Sequence, residues 1–164
     1  MFEDSSNLEE IFANLNFEKV RSLKLSGNSY AIPACKWLAE NVVSKMTNVS
    51  IIDFSDMFTS RLKTDIPLAL VHLMDALMDK EIKLLNVRDN AFGPIGVESL
   101  KKFLSSCSTL KSLNVSNCGL GPRGGAMIGG YLLENNTLML TEFYGCRSKL
   151  GRGGVDAMSE VFLK

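Results

Sequence analysis

The segment Gly119-Leu-Gly121-Pro-Arg-Gly124 has the G-x-G-x-x-G spacing that lets a backbone close on a pyrophosphate at a helix N-terminus. Glu142 follows about twenty residues on, where a ribose-binding carboxylate would stand. Phe92-Gly93-Pro94-Ile95-Gly96 precedes this segment by one interval and Leu150-Gly151-Arg152-Gly153 follows by another, so the glycines read as turn residues of a repeated unit and no cofactor is expected. Nucleophilic chemistry fares no better. The chain has no G-x-S-x-G elbow, no H-E-x-x-H and no phosphate-binding G-x-x-x-x-G-K-[ST] loop, and its single histidine, His72, sits among Val71, Leu73 and Met74 at an ordinary helical position. Cys35, Cys107, Cys118 and Cys146 contain no C-x-x-C pair, which argues against a zinc site or a disulfide framework. What remains is polar and recurrent: Asp56, Asp89 and Asn117 occupy one place in three successive intervals, with Arg88 and Arg147 close by. Such groups recognise another molecule by hydrogen bonds and charge.

The elements that must carry those residues follow from the interval itself. Val20, Leu23, Leu25 and Asn28 obey L-x-x-L-x-L-x-x-N, as do Ile82, Leu85, Val87 and Asn90, and Leu110, Leu113, Val115 and Cys118. Val49, Ile52, Phe54 and Met57 form a less regular copy, and Leu138, Thr141, Phe143 and Cys146 the weakest. Repeats therefore start near 20, 49, 82, 110 and 138. The Leu-x-Leu cores predict parallel strands near 22–26, 51–55, 84–88, 112–116 and 140–144. Apolar stripes at helical spacing come after the strands: Leu70, Leu73, Ala76 and Leu77; Val97, Leu100, Phe103 and Leu104; Ala126, Gly129, Leu132 and Leu133; Val155, Met158, Val161 and Phe162. A strand that buries its aliphatic residues under the following helix, repeated five times, makes an α/β leucine-rich-repeat solenoid with the sheet inside and helices outside. The Asn or Cys after each strand fits a buried bend whose main-chain groups need partners, so Cys118 and Cys146 should be inaccessible.

Residues 1–19 read as an N-terminal helical cap, with Ser6 and Glu9 as a capping box and Leu8, Ile11, Phe12 and Leu15 as its stripe; residues 20–164 form the repeat domain. No polar repeat closes the other end. The sequence thus reads as a C-terminally truncated array, able to self-associate through its uncapped last repeat. Eighteen basic and eighteen acidic residues cancel, so neither nucleic acid nor an anionic membrane is the expected partner. An acidic start without a long apolar run suits a cytoplasmic protein.

The repeat also has longer-than-average spacing in its second copy, where Ser55 to Asp65 form an extended loop before Pro67. Here the sequence resembles the Ran GTPase-activating proteins. The matching stretches are Asp53-Phe-Ser-Asp-Met-Phe-Thr-Ser-Arg61 through Ile66-Pro67, Asp89-Asn-Ala-Phe-Gly-Pro94, Asn117-Cys-Gly-Leu-Gly-Pro-Arg-Gly-Gly125 and Gly145-Cys-Arg147-Ser-Lys-Leu150, and the resemblance runs from about residue 20 to the end. It implies docking on the small GTPase Ran in its GTP form and acceleration of GTP hydrolysis. The chain would then be an activator rather than an enzyme, ordering Ran's own glutamine and switch region around the attacking water without an arginine finger. Carried over by motif, Asn117 contacts Ran beside the reacting phosphate, Arg61 is the functionally important loop arginine, and Asp56, Arg88, Asp89, Asn90 and Arg147 lie on the partner-binding rim. The alternative is a leucine-rich-repeat interaction scaffold without activator function.

Overall fold

The computed structural model describes residues 1–164. Five strands, β1 (Ser22–Lys24), β2 (Ile51–Asp53), β3 (Leu84–Asn86), β4 (Ser112–Asn114) and β5 (Glu142–Tyr144), pair in parallel and in chain order. Each has three residues, and its central side chain, Leu23, Ile52, Leu85, Leu113 or Phe143, points to the helical side. The helices are α1 (Leu8–Phe12), α2 (Ile32–Leu38, prolonged by a π-type turn over Ala39–Val43), α3 (Asp65–Asp75), α4 (Gly93–Val97), α5 (Lys101–Leu104), α6 (Gly121–Glu134) and α7 (Gly151–Leu163). Forty buried apolar residues, from Leu8 to Val161, form one continuous core between sheet and helices. This is an α/β leucine-rich-repeat solenoid. No helix is long and apolar enough to cross a membrane.

Proline starts three of the helices: Pro33, Pro94 and Pro122 stand in the first turn of α2, α4 and α6, where a missing N–H leaves no bond unmade. Between strand and helix the chain turns through left-handed residues at fixed places. Gly27, Asp56, Asp89, Asn117 and Arg147 form one such series, with φ from 48° to 75°. Ala91 and Gly93, Gly119 and Gly121, and Lys149 and Gly151 continue it in the last three repeats. Gly119 and Gly121 are therefore turn residues with counterparts on both sides, in a conformation that glycine adopts freely.

Several details differ from the reading of the sequence. Strand pairing sets Leu113 opposite Phe143, a spacing of thirty residues, so the fifth repeat begins near Leu140 rather than Leu138. The shift of two keeps Phe143 facing inward, because side chains alternate along a strand. It also moves the buried turn position from Cys146, which is exposed, to Ser148, which is fully buried. At the N-terminus Asn28 is exposed and donates to the Ser26 carbonyl, so the first repeat does not share the buried Asn.

The capping helix is short as well. Ser5, not Ser6, donates to Glu9 at 3.2 Å, while the Ser6 backbone and hydroxyl donate to Asp4; Leu8 is buried but Ile11 lies 60% exposed. In α6 the buried stripe is Gly124, Gly125, Ile128, Gly129, Tyr131 and Leu132, whereas Ala126 faces solvent. Small residues decide this, since Gly125 meets Gly154 and Gly129 meets Ala157 at the α6–α7 contact.

Candidate functional site

Two parallel rows of polar residues run across the edge where strands pass into turns. The first comes from the third residue of each strand, Lys24, Asp53, Asn86, Asn114 and Tyr144, which the register sets side by side. Along it Asn86 Nδ2 donates to Asp53 Oδ1 at 3.0 Å, and Lys24 Nζ lies 3.9 Å from Asp53 Oδ2. The second row is the left-handed series, Gly27, Asp56, Asp89, Asn117 and Arg147. Asp and Asn tolerate this conformation better than other side-chain-bearing residues, which explains their recurrence. Between the rows lies an open trough of about 580 Å³ lined by residues that include Lys24, Asp53, Asp56, Arg88, Asp89 and Asn117, none of them hydrophobic.

Asp89 is the centre of the second row. Asn117 Nδ2 donates to its Oδ1 at 2.8 Å, Arg147 Nη2 lies 3.5 Å from the same oxygen, and Arg88 Nε lies 3.2 Å from Oδ2. Asp56, one repeat earlier, accepts from the Thr59 hydroxyl at 2.6 Å. The structure thus gathers Asp56, Arg88, Asp89, Asn117 and Arg147 on one rim. Asn90 and Arg61 lie elsewhere.

Asn90 is buried, and its carboxamide is fully engaged with main chain: Oδ1 accepts from Met57 N–H at 2.8 Å, and Nδ2 donates to Phe54 O at 2.7 Å and Val87 O at 2.8 Å. It cannot face a partner without breaking the turn: expected on the rim, Asn90 is instead an internal tie. Arg61 points to the other side of the long loop, into a small cavity of about 220 Å³ shared with Glu3, Tyr30, Phe58 and Asp65. Its Nε donates to Ser29 Oγ at 2.9 Å, Nη1 to Glu3 Oε2 at 2.9 Å, and Nη2 to the Phe2 and Ser29 carbonyls at 3.3 Å. The hydrogen bond from Arg61 holds the Glu3 carboxyl below the usual carboxylate range. Ser29 in turn donates to Thr59 O at 2.7 Å. Arg61 therefore ties the N-terminal segment, the first turn and the long loop together, and reaches Asp56 only through Ser29 and Thr59.

Two features escaped the sequence. The Asp53, Asn86 and Asn114 row was hidden because these residues lie inside the strand cores, among the aliphatic residues that define the repeat. Arg147 is the fifth-repeat counterpart of Asn117, which a start at 138 concealed. The signal was present: Leu120-Gly121 and Leu150-Gly151 are thirty residues apart.

A leucine-rich-repeat family model matches residues 106–129, from the segment before β4 into the second half of α6. Ran GTPase-activating protein 1 of Xenopus laevis is 36% identical across 96% of this chain and 29% of its own length. The Ran GTPase-activating protein of Drosophila melanogaster is 33% identical across 96% of this chain and 28% of its own length, and Ran GTPase-activating protein 2 of Caenorhabditis elegans is 36% identical across 87% and 16%. The chain spans less than a third of the length of these relatives. It is a leucine-rich-repeat protein and, across nearly its whole length, a homologue of one portion of the Ran GTPase-activating proteins.

Proposed function

We propose that this chain docks on Ran in its GTP form through the Asp56–Asp89–Asn117–Arg147 rim and stimulates GTP hydrolysis by ordering Ran's own catalytic residues. The observation that carries the reading is the match, over nearly the whole chain, to proteins named for activating the Ran GTPase. The geometry supports it in kind. Phosphoryl transfer is catalysed mostly by positioning and charge stabilisation, so an activator needs rigid polar groups on an open edge more than a pocket of its own. The left-handed turns supply that rigidity: the Asp89 N–H donates to Ser116 O at 3.0 Å and the Asn117 N–H to Cys146 O at 2.7 Å, fixing both backbones to the next repeat.

In this reading Asn117, which is exposed, touches Ran beside the reacting phosphate. Arg61 acts at a distance, by holding the loop on which Asp56 stands. Hydrolysis takes place in Ran, and the chain has the role of activator in the cytoplasm. The test is single-turnover GTP hydrolysis by Ran with and without the chain. Stimulation by orders of magnitude supports the proposal. Binding to Ran without stimulation would leave a protein-interaction scaffold instead.

A further inference from the structure

Three donors converge on the one carboxylate of Asp89, from its own repeat and from the next two. An ionised carboxylate only accepts hydrogen bonds, so the carboxamide of Asn117 must turn its NH2 toward Asp89 and its Oδ1 away. Asn117 is exposed, and Oδ1 therefore faces outward from the rim. Without that anchor a surface carboxamide rotates about its last torsion and presents oxygen and nitrogen alike.

We propose that Asp89 is a positioning residue that fixes the polarity of Asn117, presenting its carbonyl oxygen as an acceptor, so that the group it meets on the partner is a hydrogen-bond donor such as a side-chain amide or a hydroxyl. The proposal rests on the Ran reading for the partner, and on the geometry alone for the orientation. The same carboxylate holds Arg88 and Arg147 at 3.2 and 3.5 Å. It thereby keeps two guanidinium groups from competing with the partner's donor for the Asn117 oxygen. Arrangement of the backbone does not depend on the Asp89 side chain, since Gly27 adopts the equivalent left-handed conformation in the first repeat. That makes Asp89→Gly a clean probe: it removes the acceptor at a φ that glycine favours.

The experiment measures single-turnover hydrolysis by GTP-loaded Ran at saturating chain. Asp89→Gly lowers the stimulated rate by about tenfold, the loss of one hydrogen bond to a charged group. Asp89→Asn, which keeps an acceptor and suits the left-handed turn, recovers most of that loss. The double variant Asp89→Gly, Asn117→Gly is no slower than Asn117→Gly alone, because at saturating chain, where docking losses drop out, Asp89 affects the chemical step through Asn117. Wild-type rates for Asp89→Gly, or losses that multiply as independent effects, would overturn the proposal. A second readout needs no Ran. In the ¹⁵N-labelled chain the two Asn117 side-chain amide protons are distinct and slow to exchange with water in wild type and Asp89→Asn, and exchange faster in Asp89→Gly. Should the wild-type chain not stimulate Ran, the proposed function fails and the amide signals alone decide: unchanged signals in Asp89→Gly refute the positioning.

Discussion

The backbone N–H of Cys118 donates to the Ser148 hydroxyl at 3.3 Å, and that hydroxyl donates in turn to the Val115 carbonyl at 2.7 Å. One repeat earlier Cys118 Sγ donates to Val87 O at 3.1 Å. Two repeats earlier Asn90 accepts from the Met57 N–H. Asn90, Cys118 and Ser148 thus form a buried ladder under the turns, each tying its own bend to the preceding repeat. The polar rim stands directly on it, since Asp89, Asn117 and Arg147 each precede a ladder residue by one position.

Thiol reactivity separates the two cysteines that the sequence placed together. Burial pushes the thiols of Cys35 and Cys118 up from about 9 to about 12, whereas Cys146 is exposed. A bulky thiol reagent at neutral pH therefore modifies Cys146 rapidly and spares Cys35 and Cys118 until the chain unfolds. The raised values also fix a sign. The folded chain retains these protons while the unfolded chain releases them above about pH 9, so the stability they contribute is complete below pH 9 and is lost as pH climbs toward 12. Urea midpoints between pH 8 and 11 should fall, and a rising midpoint would contradict this assignment.

The contrast between Cys118 and Cys146 shows what the sequence made legible. Strands β1 to β4 start where the Leu-x-Leu spacing puts them, because central aliphatic residues must face the helices and a register error of one would expose them. A slip of two is invisible to that logic. It preserves alternation, and in the fifth repeat Thr141 and Gly145 offer no aliphatic landmark to resolve it. The rim was readable through Asp56, Asp89 and Asn117, whose side chains suit left-handed turns. The direction of Arg61 was not, since its partners Ser29, Phe2 and Glu3 are supplied by tertiary folding across more than thirty residues.

Asn90→Ala should be severe. It strands the Met57 N–H and the Phe54 carbonyl inside the core and leaves the Val87 carbonyl only the Cys118 thiol, at a cost of about 3 kcal/mol or more. Asn28→Ala, at the same place in the repeat pattern but exposed, should change stability by less than about 0.5 kcal/mol. Equilibrium unfolding of both variants checks the pair. Equal effects would mean that the ladder extends into the first repeat.

Two adjacent glycines in α6 should respond in opposite directions. A Cβ on Gly129 would stand 2.6 Å from Ala157 Cβ, whereas one on Gly130 meets nothing within 4 Å. Gly129→Ala should destabilise the α6–α7 contact by about 1–3 kcal/mol. Gly130→Ala should stabilise by about 0.5–1 kcal/mol, because alanine loses less backbone entropy in a helix. Hydrogen exchange of α7 amides reads both, and faster exchange in Gly130→Ala would be the contrary result.

Phe143, Leu150, Val155, Met158, Phe162 and Leu163 line an open apolar depression beside β5 and α7, with Val155 and Phe162 about half exposed. An apolar surface of this kind favours association. Sedimentation of the chain should show a concentration-dependent shift that Val155→Glu with Phe162→Glu abolishes. Identical behaviour of wild type and variant from low to high micromolar concentration would remove this face as a contact.

Arg61 and Asn117 should fail in different ways. Arg61→Ala removes four hydrogen bonds that join Glu3, Phe2 and Ser29 to the long loop, so Tm should fall and proteases should cut sooner between Phe58 and Asp65. Arg61→Lys should rescue little, because a single ammonium cannot reproduce the guanidinium fork that serves Ser29 and Glu3 at once. Asn117→Gly leaves the backbone content, since φ there is 54° and Gly27 already occupies the equivalent turn; Tm should hardly move. Ran assays at saturating chain then divide the two roles, because binding losses drop out and only the effect on the chemical step remains. Asn117→Gly should slow hydrolysis with the fold intact, and Arg61→Ala should slow it only to the extent that the loop is loosened. An Arg61→Ala chain with wild-type Tm and proteolysis but a large loss of rate would instead place the guanidinium against Ran, and the inward arrangement of Arg61 would then have to open on binding.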